Sequence, residues 1–147
     1  MKDDLIQQML RANKRLLAAI KAVGEDQAVN KEWSKKELLA HIAGWYEEGV
    51  DSTPKIISGE KPKSFSLSIS GYNKRSVEKR KDMTVQQIEN EINTLRDQFI
   101  ELIRPLEEEQ ISNYHGTTLG KKEINLLWMI NQCISHDNAH AKELEKI

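Results

Sequence analysis

The sequence predicts an all-α fold, a four-helix bundle of up-down-down-up connectivity with a long crossover between its second and third helices. Four segments repeat apolar residues at the spacing of an α-helix. Seven glycines and three prolines leave few breaks within these segments. The connection over 60–83 holds 24 residues, which is long for a loop in a compact domain and sufficient to cross the bundle.

Size and charge exclude several classes of protein. A chain of 147 residues corresponds to one domain, 1–147, which can bury a core without a disulfide or a metal. Its 22 basic and 23 acidic residues give a net charge of -1, which argues against a nucleic-acid partner. The single cysteine favours a reducing, cytoplasmic location. No secretory segment and no apolar run of roughly 18 residues is present, so no membrane partner is expected.

The first two predicted helices have recognisable ends. The first covers 2–23, and Gly24 is its predicted C-cap. The second covers 34–58 and opens with a serine followed three residues later by Glu37, which is the pattern of a capping box. Pro54 is expected to kink or end this helix, because proline lacks the backbone donor.

The crossover combines an alternating pattern with a concentration of positive charge. Phe65, Leu67 and Ile69 alternate with serines, which predicts an extended strap with its apolar side on the bundle. A short helix is predicted to follow over 72–81. Residues 55–81 carry a charge of +6 and the remainder -7. A solvated basic face is the favoured interpretation, and a surface for an anionic ligand is the alternative.

The last two predicted helices complete the bundle. The third begins with a second capping box, formed by Thr84 and Gln87, and ends at Pro105. The fourth is expected to start near Gly120 and to continue almost to Ile147.

Three of the four histidines in the sequence are placed where they can meet. His136 and His140 are four residues apart on the last helix, so they project from one face. His41 lies on an otherwise apolar face of the second helix. If those two helices are antiparallel, as the long crossover allows, the three rings lie at one level of the bundle.

Three imidazoles on one divalent ion leave coordination positions open, which is the pattern of catalytic rather than structural sites. Zinc, nickel and iron all accept imidazole ligands, and the donor set does not choose between them. The alternative is that the three rings pack in the interior without a metal.

Two segments carry a resemblance to a known family. Residues 33–45 (WSKKELLAHIAGW) and 134–140 (ISHDNAH) resemble the second-helix signature and the last-helix HxxxH motif of the DinB-like superfamily. The resemblance implies an up-down-down-up four-helix bundle, often dimeric, with a divalent metal on three histidines. Carried over to this chain, those ligands are His41, His136 and His140.

The resemblance also implies a class of chemistry. Relatives include thiol-dependent transferases and hydrolases, so water or a low-molecular-weight thiol would be activated on the metal and would attack a small electrophilic molecule. A small-molecule substrate and a homodimer are the partners expected. The alternative function is a non-catalytic bundle that binds a ligand or dimerises without a metal.

Three residues of the second helix are candidates for supporting roles. Glu48 is a candidate proton shuttle that lines the site, with a solvated glutamate as the alternative. Glu37 is either an outer partner of the His41 ring or only a helix cap. Trp45 either walls the site or fills the core.

Three further side chains could have a functional role, but a structural role is favoured for each. Cys133 could be a fourth ligand or a nucleophile, but inert core packing is the favoured interpretation. Asp137 is expected at the surface, because it points about 100° away from His136 around the helix. His115 lies in a polar turn and is expected to be exposed.

Overall fold

Four long helices form the body of the molecule in a computed structural model, which describes residues 1–25, 27–31 and 33–147. They are α1 (Lys2–Lys21), α2 (Lys35–Ser58), α4 (Val85–Ile103) and α6 (Leu126–Leu144). Between them lie a 3-10 turn (Lys63–Ser66), α3 (Ile69–Lys79), α5 (Glu108–Ser112), β1 (Thr118–Leu119) and β2 (Lys122–Glu123). The all-α prediction is confirmed. Within the described residues, no helix has the length and apolar content that a membrane span requires.

The helix ends follow the predicted capping residues in α2 and α4 but not in α1. Both capping boxes form, and Ser34 Oγ accepts from the backbone N–H of Glu37 at 3.3 Å. Helix α2 continues through Pro54 and ends at Gly59, whose φ of 80° is left-handed. A Cβ there would lie 2.1 Å from the carbonyl oxygen of His115, so only glycine fits. The prediction that Gly24 caps α1 is wrong, since Ala22 holds the C-cap.

The predicted extended strap is wrong. Only Phe65 packs against the core, whereas Leu67 and Ile69 are 41% and 70% exposed. The physical reason is that Ser68 is an N-cap: its Oγ accepts from the Gly71 N–H at 2.9 Å, so α3 begins three residues earlier than predicted. The chain therefore crosses the bundle as a 3-10 turn followed by a helix.

The start of the last helix also differs from the prediction. Residues near Gly120 form the turn of a short antiparallel hairpin, in which Thr118 pairs with Glu123. Gly120 has a φ of 62°, which suits a tight turn and not a helix. Asn125 caps α6 by accepting from the Trp128 N–H at 2.8 Å. The fourth helix is therefore six residues shorter at its start than expected.

The bonds between helices show their relative directions. Lys2, at the start of α1, donates from Nζ to the Arg104 carbonyl at 2.7 Å. Asn13, about halfway along α1, accepts from Arg96 at 3.1 Å, so α1 and α4 run in opposite directions. Asn13 and Arg15 contact α6 in increasing order, at Asp137 and then Glu145, so α1 and α6 run together. These directions fit the up-down-down-up order.

Helix α3 packs tightly on α2 because of one glycine. A Cβ at Gly44 would lie 2.1 Å from Ser76 Oγ and 2.5 Å from its Cβ. The Tyr72 hydroxyl also donates to the Gly44 carbonyl at 2.5 Å. The absence of a side chain at Gly44 thus sets how closely α3 approaches the part of α2 that carries His41.

Candidate metal centre

The three predicted histidines come together where the first half of α2 crosses the second half of α6. The Nε2 atoms of His41 and His136 are 2.9 Å apart, and those of His140 and His136 are 3.2 Å apart. One ligand atom from each ring lies within 4.8 Å of the others, so the trio could hold a metal ion. His41 is buried, and the other two are partly accessible.

The second ring nitrogen of His41 is held by α3. Its Nδ1 lies 3.1 Å from Asn73 Oδ1, an acceptor, so Nδ1 carries the proton and donates. The Nε2 lone pair is consequently directed at the cluster. Of the two roles considered for Glu37, the structure shows the helix cap, since its carboxylate accepts from the backbone N–H of Ser34. Asn73 was missed, because nothing in local spacing relates positions 32 residues apart.

Two tryptophans form walls around the cluster. The Trp33 ring lies 4.4 Å from the His41 ring, measured between centroids. The Trp45 ring lies 5.8 Å from that of His136 and 6.3 Å from that of His41. Trp45 therefore lies against the cluster, as one of its two predicted roles required. Its indole N–H is buried with no hydrogen-bond partner among the described residues.

A buried polar network lies directly behind the histidines, and it corrects the prediction for Asp137. This residue is 1% exposed, not a surface residue. The Tyr46 hydroxyl and Asn13 Nδ2 (3.2 Å) both donate to Asp137 Oδ2, while Oδ1 lies 4.0 Å from His136 Nδ1. Asp137 is rotated by about 100° from His136 around the axis of α6. Because α6 packs against other helices on more than one side, this direction leads between α1 and α2 and not to solvent.

The cluster is electrically neutral at ordinary pH. Burial lowers the pKa of His41 to about 4 and that of His136 to about 3, and the neighbouring imidazoles add to both shifts. Burial also lowers the pKa of His140. Neutral imidazole is the form that binds a metal, so little proton competition is expected at the site near pH 7.

One comparison with known proteins identifies a family for this chain. The family model described as the DinB superfamily matches residues 4–144. The chain belongs to the DinB superfamily. No curated protein and no solved structure matches it significantly.

Two other groups of this DinB-superfamily protein lie outside the cluster. Cys133 is not one of the clustered ligands; burial raises the pKa of its thiol, which contacts the Tyr46 hydroxyl. The residue is half-buried and packs against the hydrophobic core, and a thiol held in its neutral form is a poor nucleophile, so core packing is supported. His115 is partly buried rather than exposed, because its Nε2 bonds the Gln110 carbonyl at 3.1 Å and holds the ring against the turn.

Glu48, the candidate proton shuttle, lines a different cavity. None of the three histidines lines that cavity. Tyr72 lines it, and the Tyr72 ring lies 5.4 Å from the Trp45 ring, measured between centroids. Glu48 is 6% exposed, so the alternative of a solvated glutamate is wrong. Burial raises the pKa of its carboxyl group, against two hydroxyl donors that lower it. The structure therefore separates Glu48 from the histidine cluster of this DinB-superfamily chain.

An open groove of about 1050 Å³ lies beside α3; none of the three histidines lines it, but two of their neighbours do. Trp33 and Asn73, which both contact His41, line this groove. A small molecule in the groove would therefore lie next to the residues that hold the His41 ring.

Proposed function

We propose that this DinB-superfamily protein is a metal-dependent enzyme that activates water or a low-molecular-weight thiol for hydrolysis or S-transfer on a small electrophilic molecule. The observation that carries the proposal is the convergence of the Nε2 atoms of His41, His136 and His140, at 2.9 and 3.2 Å. A shared divalent cation would use the lone pairs of all three nitrogens at once.

The donor set fits a divalent transition metal. Imidazole nitrogen suits zinc, nickel and iron, and a three-histidine site leaves room for a further ligand. His41 would be held for this task by Asn73, since the bond to Nδ1 fixes the tautomer and the ring orientation. The metal would lower the pKa of a bound water or thiol, or polarise a substrate oxygen.

The surrounding residues have defined parts in this proposal. Trp33 and Trp45 limit access of bulk water to the rings, while the groove lined by Trp33 and Asn73 admits a small substrate. No carboxylate belongs to the cluster among the described residues. The attacking group would therefore lose its proton to solvent in the groove. A homodimer and a cytoplasmic location belong to the same proposal.

A second candidate function is a ligand-binding or dimerising bundle without a metal. One observation favours it: the ring nitrogens of the trio are within hydrogen-bond distance of one another. An N–H on His136 Nε2 could satisfy the lone pair of His41 without any ion.

The deciding experiment is elemental analysis of tag-free protein purified without chelators. We expect one equivalent of a transition metal per chain, lost in His41→Ala and retained in the control His115→Ala, which removes a histidine outside the cluster. No metal after dialysis against zinc, nickel and iron salts would reject the enzyme proposal and favour the packing function.

Metal affinity should depend weakly on pH in the acidic range. Three imidazoles of unperturbed pKa would lose roughly 500-fold in affinity between pH 7 and 5.5 through proton competition. Because the pKa values of His41 and His136 are lowered to about 4 and about 3, we expect less than about a tenfold loss, with release only at more acidic pH. Calorimetric titration with zinc at the two pH values tests this. A loss of several hundredfold would show that the rings are not held neutral.

A further inference from the structure

A second cavity lies between α2 and the crossover, away from the histidines. Its volume is about 340 Å³, within the range of small-ligand sites. Its walls are strongly charged and of opposite sign. Helix α2 contributes the acidic Glu47, Glu48 and Asp51, and the 3-10 turn and α3 contribute most of the basic side chains. The basic residues on the wall are Lys55, Lys63, Arg75, Lys79 and Arg80.

One carboxylate oxygen of Glu48 is available to a ligand. The hydroxyls of Ser52 and Ser64 both donate to Oε1. The other oxygen, Oε2, has no hydrogen bond within the described part of the chain, although the residue is only 6% exposed. A buried carboxylate with an unused acceptor is costly unless a donor reaches it. Among the described residues Oε2 is not one of the enclosed polar atoms without a partner, so it is open to the cavity, where water or the donor group of a ligand can reach it.

Two cations of the opposite wall are also without partners. Lys79 and Arg80 form ion pairs with Glu47 at 2.5 and 2.6 Å. In contrast, the side chains of Arg75 and Lys63 make no ion pair or hydrogen bond to any described residue; Arg75 and Asp51 attract each other only at longer range. Asp51 likewise makes no hydrogen bond or ion pair to a described residue, so two carboxylates and two cations of the cavity wall lack a close partner.

We propose that this cavity binds a small zwitterion of the amino-carboxylic acid class, with its ammonium group on Glu48 and its carboxylate on Arg75 and Lys63. A simple anion would be repelled by the Glu48 carboxylate, and a simple amine would be repelled by the cations Arg75 and Lys63. Only a molecule with both charges satisfies both walls. The described metal-ligating set is the histidine trio, so the acidic wall is matched to an organic ammonium group rather than to a divalent ion.

The proposal accounts for the positive charge of the crossover. The sequence alternatives were a solvated basic face or a surface for an anionic ligand. Lys79 and Arg80 form ion pairs with Glu47 of α2, so Arg75 and Lys63 are the basic residues that can bind the carboxylate of a ligand. None of the three histidines lines this cavity, although Arg75 also lines the groove beside α3, so the two proposals are separated by the variants below.

The test is an NMR titration of the labelled full chain with glycine and its longer homologues up to 6-aminohexanoate. Butylamine and butanoate serve as the probes with one charge each. We expect at least one homologue to cause saturable shifts at α2 and α3 and to bind at least about tenfold more tightly than either single-charge probe. Absence of saturable shifts throughout the series, or butanoate binding equally well, would overturn the proposal.

Two variants test which residues bind the ammonium group and the carboxylate of the ligand. Glu48→Gln keeps the shape of the side chain and should weaken the best homologue about tenfold or more, whereas the surface control Glu109→Gln should not change its affinity. Arg75→Gln alters an exposed side chain, so it tests the carboxylate contact even if Glu48→Gln folds poorly. Unchanged affinity in Arg75→Gln would contradict the assignment. His136→Ala should bind the zwitterion normally, which separates this inference from the metal proposal.

Discussion

Replacing Arg80 with alanine is expected to lower the free energy of unfolding by about 3 kcal/mol, because it removes the charge-assisted hydrogen bonds of a buried guanidinium to two partly buried carboxylates. Arg80 is 1% exposed, and its guanidinium contacts Glu47 and Glu91 at 2.6 Å each. It also donates to the Ser76 carbonyl at 3.2 Å. One side chain thus connects the end of α3 to both α2 and α4; without it Glu91 loses its ion-pair partner, whereas Glu47 still pairs with Lys79.

Urea unfolding followed by far-ultraviolet circular dichroism measures this effect. Arg104→Ala is the matched control, because Arg104 also pairs with a glutamate, Glu101 at 2.9 Å, but both side chains are more than half exposed. A surface pair of this kind contributes about 0–1 kcal/mol. Similar losses in the two variants would show that burial of Arg80 does not set its contribution.

A divalent metal should stabilise the fold strongly if the histidine trio binds it. A ligand that binds only the folded state at a thousand times its dissociation constant adds about 4 kcal/mol. For a chain of this length that corresponds to a rise in melting temperature of about 10 °C. Thermal unfolding with zinc or nickel, compared with the same protein in chelator, measures the shift.

Variants show whether that shift arises at the proposed site. His136→Gln should abolish it, since His136 is the ring within hydrogen-bond distance of both others. His115→Gln should retain it. A shift that survives in His136→Gln would place the metal elsewhere on the molecule, and no shift in the native chain would favour the metal-free bundle.

Local patterns predicted much of the secondary structure. The capping boxes of α2 and α4 form because each joins groups three residues apart, a relation that sequence spacing specifies directly. The pairing of His136 with His140 has the same origin, since positions four apart share a helix face. The errors at Gly24 and Gly120 concern element ends, where a cap or a turn competes with the helix; they amount to two residues at the end of α1 and six at the start of α6.

The period-two pattern of the crossover shows how a local signal can mislead. Phe65, Leu67 and Ile69 alternate with serines, yet an isolated extended segment has no strand to satisfy its backbone. A 3-10 turn and a serine-capped helix satisfy those groups within the segment itself. The serines that appeared to be one side of a strap include the cap of α3.

The sequence by itself determined the helices, two of their caps and the three histidines that meet. Only the tertiary structure decided what surrounds them. Asn73 on His41, Asp137 in the seam behind His136, and Arg80 between Glu47 and Glu91 are contacts across 11 to 124 residues of chain. Helix periodicity gives the direction of a side chain around its own axis, but the neighbour in that direction depends on the packing of separate helices. That packing turned an expected surface aspartate into a buried one, and a basic segment into one wall of a cavity.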